Sequence, residues 1–221
     1  MNMAEKWKVA APVVSAQLRE EESLAEAIER ALDEDGDLRG MHFTGETLDA
    51  MEGGTLDISG CVFERCIFTE MDFKRLSFVD CVFDKCEWSN LRMVSATFQR
   101  VSFRNCRMTG VEIMRGVLMN ASFDACMLDY ASLSETKLDR VSFAECRMRE
   151  SLWADVKLVK VRFDGADLTR AQWMRTPLLG VDMSSSLIDG WNISLFDLRG
   201  VKVTAAQVIS LSGLLGVEIV E

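Results

Sequence analysis

Residues 61–88 read CVFERCIFTEMDFKRLSFVDCVFDKCEW, with an aromatic residue at every fifth position from Phe63. The same spacing extends from Leu38 to Val203 without an insertion, and 33 of its 34 positions carry a large apolar residue. The one exception is Gly53. A register kept over this length is the signature of a repeat protein.

A period of five fits neither regular secondary structure. In an α-helix, five residues advance about 500°, so such a series would wind around the helix. In a β-strand, residues five apart fall on opposite faces. The pattern is satisfied if the backbone turns a corner within each five-residue unit, which returns every central side chain to the interior.

The residues two before each centre share its strand face, and they are mostly small or apolar. All seven cysteines of the chain lie at such positions, whereas the other three positions of each unit carry nearly all the charges. Like residues also recur every 20 positions. The phenylalanine column contains Phe43, Phe63, Phe83, Phe103, Phe123, Phe143 and Phe163, and the cysteine column contains Cys66, Cys86, Cys106, Cys126 and Cys146. Four units therefore make one circuit, and stacked circuits should lie about 4.8 Å apart.

This unit resembles that of the pentapeptide-repeat family, which runs small–Asp/Asn–Leu/Phe–polar–any. Residues 166–171, ADLTRA, match it best. Many other units depart from it, with Phe, Met or Trp in place of Leu and Cys or Val in place of Ala. The resemblance implies an all-β fold, a right-handed quadrilateral β-helix of about eight coils. We expect it to occupy residues 37–204, with an N-terminal segment over 1–36 and a C-terminal segment over 205–221.

Short helices are predicted to cap both ends of the β-helix, which would otherwise expose open strand edges. Residues 23–32 form an amphipathic helix with Ser23 as N-cap and Glu26 three residues later, as in a capping box. Its apolar face consists of Leu24, Ala27, Ile28, Ala31 and Leu32. A regulatory or partner-binding helix is the alternative interpretation.

At the other end, Thr204 is the predicted N-cap of a helix that stops at Gly216, followed by a strand over 217–220. This segment is similar to the C-terminal end of quinolone-resistance pentapeptide-repeat proteins, which dimerise tail to tail. The resemblance implies a homodimer, with an interface formed by Val208, Leu211, Leu214, Leu215, Val217 and Ile219. The alternative is a cap on a monomer.

The sequence offers no catalytic, cofactor or metal site, and we expect no enzyme. His42, the only histidine, lies at an outward position of the first coil with no evident partner. Zinc requires a tetrahedron of ligands, whereas the cysteine column is a line of thiols. Stacked cysteines lie within disulfide range, but a reducing cytosol opposes oxidation. We interpret the cysteines as small buried residues and the phenylalanines as core.

The net charge of −10 invites comparison with gyrase-interacting members of the family, which are thought to mimic duplex DNA. However, residues 37–204 contain 24 acidic and 21 basic residues. The four faces, centred on Phe63, Phe68, Phe73 and Phe78, sum to about −1, −4, 0 and +2. Such walls argue against DNA mimicry, and they lack a basic track for nucleic acid.

The sequence has no apolar run of the roughly 20 residues that a membrane span needs and no secretory signal, so we expect a cytoplasmic protein. The favoured function is a non-catalytic protein–protein interaction rod with an unknown partner. A protein that interacts with DNA gyrase or topoisomerase is one alternative. A thiol-redox or metal protein that uses the cysteine column is the other.

Overall fold

A computed structural model describes residues 7–20, 23–34 and 36–216. It is a β-solenoid of about nine turns with few short helices. The predicted all-β, right-handed quadrilateral β-helix is thereby confirmed. The turns outnumber the eight that were expected because residues ahead of the repeats contribute as well: Arg19 and Glu20 pair in parallel with Met41 and His42.

Thirteen of the 19 strands in the described chain have two to four residues, because each wall of the solenoid is only a few residues wide, and the other six, of eight or nine residues, span two adjacent units. The strands of the described chain are β1 (Arg19–Glu20), β2 (Asp37–Arg39), β3 (Met41–Thr44), β4 (Thr47–Leu48), β5 (Met51–Ser59), β6 (Val62–Glu64), β7 (Ile67–Phe68), β8 (Met71–Val79), β9 (Val82–Asp84), β10 (Arg92–Val94), β11 (Thr97–Arg104), β12 (Glu112–Met114), β13 (Val117–Asp124), β14 (Ser132–Ser134), β15 (Lys137–Ala144), β16 (Leu152–Ala154), β17 (Lys157–Asp164), β18 (Gln172–Met174) and β19 (Asn192–Ile193). Neighbouring strands pair in parallel, and within the repeats partners lie 20 residues apart, as Phe103 and Phe123 do.

The corners of the solenoid explain the period of five. The last residue of most units has a positive φ, for example 56° at Asp80, 52° at Arg100 and 54° at Asn120. This left-handed conformation costs a non-glycine residue about 1–2 kcal/mol. It turns the chain by one wall in each unit, so that the next central side chain again points inward.

The core consists of columns of like side chains that run along the axis. In the phenylalanine column the rings of neighbouring coils are nearly parallel, with centroids 4.8 Å apart between Phe103 and Phe123 and 5.5 Å apart between Phe43 and Phe63. Trp153 and Trp173 stack in the same way on another wall, 5.0 Å apart. Stacked and edge-on rings add about 0.5–1.5 kcal/mol per pair to the burial of apolar area.

Helix α1 (Leu24–Glu34) covers the first coil and explains the one gap in the apolar series. Four residues of this helix are buried: Leu24, Ala27, Ile28 and Ala31. A Cβ atom at Gly53 would lie 3.0 Å from Phe73 Cε1 and 3.2 Å from Leu32 Cδ2. Leu32 and Phe73 therefore occupy the space that a side chain at residue 53 would need.

Helix α2 (Ala205–Leu211) and a 3-10 turn (Ser212–Leu215) cover the last coil. Thr204 is the N-cap, as predicted, and forms a capping box with Gln207. The Gln207 side-chain amide donates to the carbonyl oxygens of Met183 at 2.8 Å and Ser186 at 2.7 Å, which satisfies part of the open edge. In the described part of the chain, no helix has the length and apolar character required to cross a membrane.

Replacing Phe103 by alanine should lower the free energy of unfolding by about 3–5 kcal/mol, because it leaves a cavity between two stacked rings. The measurement is the denaturation midpoint in urea, followed by circular dichroism. Tyr130→Ala is the control, since Tyr130 is 59% exposed and its loss should cost less than about 1 kcal/mol. Equal costs for the two variants would contradict the assignment of the column to the core.

Candidate interaction surfaces

The cysteine column lies inside the rod. All seven cysteines are buried and unpaired. Their thiols donate to backbone carbonyl oxygens, as Cys86 Sγ does to Phe63 at 3.3 Å and to Asp84 at 3.5 Å. Cys61 and Cys81 form the same contacts on the adjacent wall. Each thiol therefore has an acceptor within the protein and no route to solvent.

This environment suppresses thiol chemistry. Burial raises the pKa of the Cys61 and Cys81 thiols, because a thiolate in the apolar core would lose its hydration. Within residues 7–20, 23–34 and 36–216, no group of three or more His, Cys, Asp or Glu side chains is placed to hold a metal ion.

His42 has partners that the sequence did not reveal. Its Nε2 atom lies 3.4 Å from Glu64 Oε1 in the next coil and 3.4 Å from Thr44 Oγ1. The side chain is half-buried on the outer wall of the first coil. The expectation that this residue has no evident partner is wrong, because stacking places residue 64 beside residue 44, two positions from the histidine.

Eight ion pairs link charged residues of neighbouring coils along the rod axis. The ion pairs between neighbouring coils are Asp57–Arg75, Asp80–Arg100, Glu87–Arg107, Arg92–Glu112, Asp129–Arg147, Arg149–Asp167, Glu150–Arg170 and Asp155–Arg175. The Arg175 guanidinium hydrogen-bonds Asp155 and holds the pKa of that carboxyl below its ordinary value. Exposed pairs of this kind stabilise the protein little, by about 0–1 kcal/mol each.

Exposed apolar side chains concentrate at the C-terminal end. Of the ten large apolar residues that are exposed in the described chain, seven follow residue 173: Met174, Leu179, Leu187, Leu195, Phe196, Val208 and Ile209. We call Leu195, Phe196, Val208 and Ile209 the C-terminal apolar surface. Leu195 and Phe196 lie in the last coil, and the other two lie on α2.

The residues of the predicted dimer interface differ in their exposure to solvent. Val208 is 53% exposed, whereas Leu211 is buried against the last coil and Leu214 is partly buried there. These two leucines therefore anchor the cap. Val217, Ile219 and the side chain of Leu215 lie outside the described residues. The exposed neighbour Ile209 was not singled out, because the helical boundary alone did not show which face packs on the rod.

Residues 7–20 form an extended segment that crosses several coils, and we call it the strap. Its β1 pairs with the first coil, and the Val13 amide donates to Asp80 Oδ1 at 2.9 Å. Further along, the Ala10 amide donates to Asn120 Oδ1 at 3.3 Å, and the Trp7 ring lies against the Arg162 guanidinium, 4.9 Å from centroid to Cζ.

Sequence analysis missed this strap, which has no repeat pattern. One available signal was the outward-facing serine series at 102, 122 and 142, where other walls carry charges.

Comparisons with known proteins agree with this architecture. Residues 56–132 match the family model "Pentapeptide repeat region", and residues 117–152 match "Pentapeptide repeats (8 copies)". No curated protein matches the sequence. Among solved structures, the chain is similar to a trypsin-treated form of QnrB1, a plasmid-mediated fluoroquinolone resistance protein, at 17% identity over 84% of this chain and 100% of that one, with a TM-score of 0.43. It is also similar to HetL, a pentapeptide repeat protein involved in heterocyst differentiation regulation from the cyanobacterium Nostoc, at 12% identity over 79% of this chain and 92% of that one, with a TM-score of 0.35.

The buried thiols should react with a disulfide reagent only after unfolding, because the thiolate is the reactive form and the core excludes it. We expect almost no reaction in native buffer at pH 8 and seven equivalents in urea. Ser15→Cys, at an exposed position, is the control and should add one fast equivalent. Several fast thiols in the native wild-type chain would show that the column is accessible.

Proposed function

Because the chain belongs to the pentapeptide-repeat family, we propose that it is a non-catalytic rod that binds another protein through its outer surface. The observation that carries this proposal is the distribution of its side chains. The thiols are enclosed in the core, several wall arginines pair with carboxylates of neighbouring coils, and exposed apolar groups are concentrated at one end. Such an arrangement supports surface contact rather than chemistry on a small substrate.

The paired walls suit a protein partner better than a nucleic acid. Binding to phosphates requires several unpaired Lys or Arg side chains on one track. Here Arg100, Arg147 and Arg175 each engage a carboxylate of an adjacent coil. Unpaired cysteines also fit a reducing compartment, so we place the protein in the cytoplasm. The thiol-redox or metal alternative is weaker, since its thiols lie within the apolar core.

The second candidate function is interaction with DNA gyrase or another topoisomerase. The net charge of −10 favours it, since an acidic rod can compete with DNA for a basic surface. The location of the charge weakens this candidate, because the repeat region is nearly neutral, with 24 acidic and 21 basic residues. A gyrase-directed role therefore requires the acidic residues outside the repeats, such as those of α1.

A supercoiling assay separates the two candidates. Purified protein is titrated into gyrase and relaxed plasmid, with and without a fluoroquinolone. For a rod with a different protein partner we expect no change in supercoiling up to micromolar concentrations. Inhibition or drug protection at those concentrations would instead favour the topoisomerase role. Bovine serum albumin at equal concentration controls for non-specific effects.

The search for the partner uses the rod as a scaffold of known geometry. A photo-crosslinking residue is placed in turn at Lys137, an exposed position on a wall, and at Leu195, in the C-terminal apolar surface. We expect one protein to be captured from the wall position, and that protein, once purified, should bind the rod with a measurable Kd. The interaction function would be refuted if no captured protein bound in purified form and a thiol-dependent or metal-dependent activity were found instead.

We further propose that the C-terminal apolar surface is the contact between two copies of the chain. Val208 and Ile209 are 53% and 63% exposed on the same short helix, and Leu195 and Phe196 extend this surface to the last coil. In an end-to-end contact the second copy covers none of the walls of the rod. This arrangement is isologous, as expected for a two-fold dimer.

Val208→Glu combined with Ile209→Glu should convert dimers into monomers, because it places charges in an apolar contact. Sedimentation velocity measures the species over a range of concentrations. Ile67→Glu, at a 41% exposed site far from the C-terminal end, is the matched control and should stay dimeric. A double variant that remains dimeric, or a monomeric wild type, would refute the proposed contact.

A further inference from the structure

The strap runs along one corner of the rod in a fixed register. Val13 contacts Asp80 and Ala10 contacts Asn120, so three strap residues correspond to 40 residues of the rod. Forty residues make two coils, because partners in adjacent coils lie 20 positions apart. At about 4.8 Å per coil, this distance is about 9.6 Å.

An extended chain of the polyproline II type matches this distance. It rises about 3.1 Å per residue and has three residues per turn, so three residues span about 9.3 Å and return the amide group to the same side. Such a chain has no internal hydrogen bonds, and its amides need external acceptors. Pro12 favours this conformation at its own position and at Ala11. Residues 7–15 adopt neither helix nor strand.

The two acceptors are oriented by the rod itself. Asp80, Arg100, Asn120 and Arg140 occupy one column of corner positions. Arg100 donates to both carboxylate oxygens of Asp80, at 2.6 Å each. Arg140 Nε donates to Asn120 Oδ1 at 3.0 Å. Each acceptor is thus held by the arginine of the next coil, and the pair presents two oxygens two coils apart.

The wall beside this column is shaped to receive a chain. Ser102 and Ser142 are at outward-facing positions, yet they are only 5% and 7% exposed. We ascribe their burial to the strap, because Ser132, at the equivalent outward position of another wall, is only half-buried, as is Ser122 between the two. The column of small side chains ends at Arg162, whose guanidinium faces the Trp7 ring.

We propose that this corner is a binding site for an extended, proline-containing peptide, and that residues 7–14 are its resident ligand. The site recognises two backbone amides three residues apart and an aromatic residue at the N-terminal side. It holds the strap through few contacts, since Val13 is 72% exposed and the amides make two described side-chain hydrogen bonds. Tethering keeps the strap in place, because a short linker raises its effective concentration to millimolar levels.

The site therefore differs from the surfaces assigned above to a protein partner and to a second copy. At this exchangeable site, the tethered strap competes with any peptide of the same type that is supplied from outside. A peptide of the same type, supplied in trans, should bind only once the tether is cut. This inference does not depend on the identity of the partner or on dimerisation.

The test uses the full chain with a specific protease sequence in place of residues 15–17. After cleavage, a fluorescent synthetic peptide with the sequence of residues 7–14 is titrated and its anisotropy is measured. We expect saturable one-to-one exchange with the cut strap, and binding to the uncut chain that is at least tenfold weaker. Failure of the labelled peptide to bind the cut chain would overturn the proposal, as would equal binding to the cut and uncut chains.

A variant pair tests the register. Asn120→Ala removes the acceptor for Ala10 and should weaken peptide binding by about fivefold to tenfold. Asn105→Ala is the matched control, because Asn105 has the same left-handed conformation, with φ of 52° against 54°, and lies in a different column of corners, where its side chain donates to Asp84. Equal binding by the two variants would refute the assigned site.

Hydrogen exchange on the uncut chain gives a second measurement that does not depend on peptide binding. In Asn120→Ala, the Ala10 amide should exchange at least several-fold faster than in the wild type. The Val13 amide should change less, because Asp80 remains in place. Unchanged exchange at Ala10 would show that the Asn120 side chain does not hold the strap.

Discussion

A left-handed backbone conformation recurs at the last residue of most five-residue units, and the rest of the structure depends on it. Residues such as Lys85, Arg115 and Glu135 occupy this conformation despite its steric cost. A single corner would not persist alone. It persists because each coil is hydrogen-bonded to the coils on either side in identical register, so the cost of turning is offset by the parallel ladder and by the columns of side chains that the ladder aligns.

Stacking at one-coil spacing turns each position of the unit into a column with its own role. Inward columns form ring stacks and a line of thiols, and outward columns form ion pairs along the axis. The last coils and α2 break this pattern, because outward positions there carry apolar side chains such as Leu179 and Phe196. Exposed apolar side chains consequently gather there, and the C-terminal end differs in character from the walls.

Much of the fold followed from the sequence, since the five-residue and 20-residue periods determine which side chains face inward and which stack. The N-cap at Thr204 was also recognisable, because capping depends on neighbouring residues. The sequence did not reveal the partner of His42 or the different burial of Val208 and Leu211. They depend on which coil or helix face lies alongside. The strap was missed because its contacts use backbone amides, which every sequence has, and acceptors 67 and 110 residues away.

The strap also bears on how the rod can change in length. Repeat proteins gain and lose units readily, and the core here would accept one coil more or less between Asp80 and Asn120. The two acceptors would then be one or three coils apart. The strap amides are spaced for two coils, so one amide would lie half a turn of the polyproline II helix away from its acceptor. Only an insertion of two coils restores the match. The strap thus limits the number of coils between the two acceptors, and it favours changes in rod length in steps of 40 residues over steps of 20.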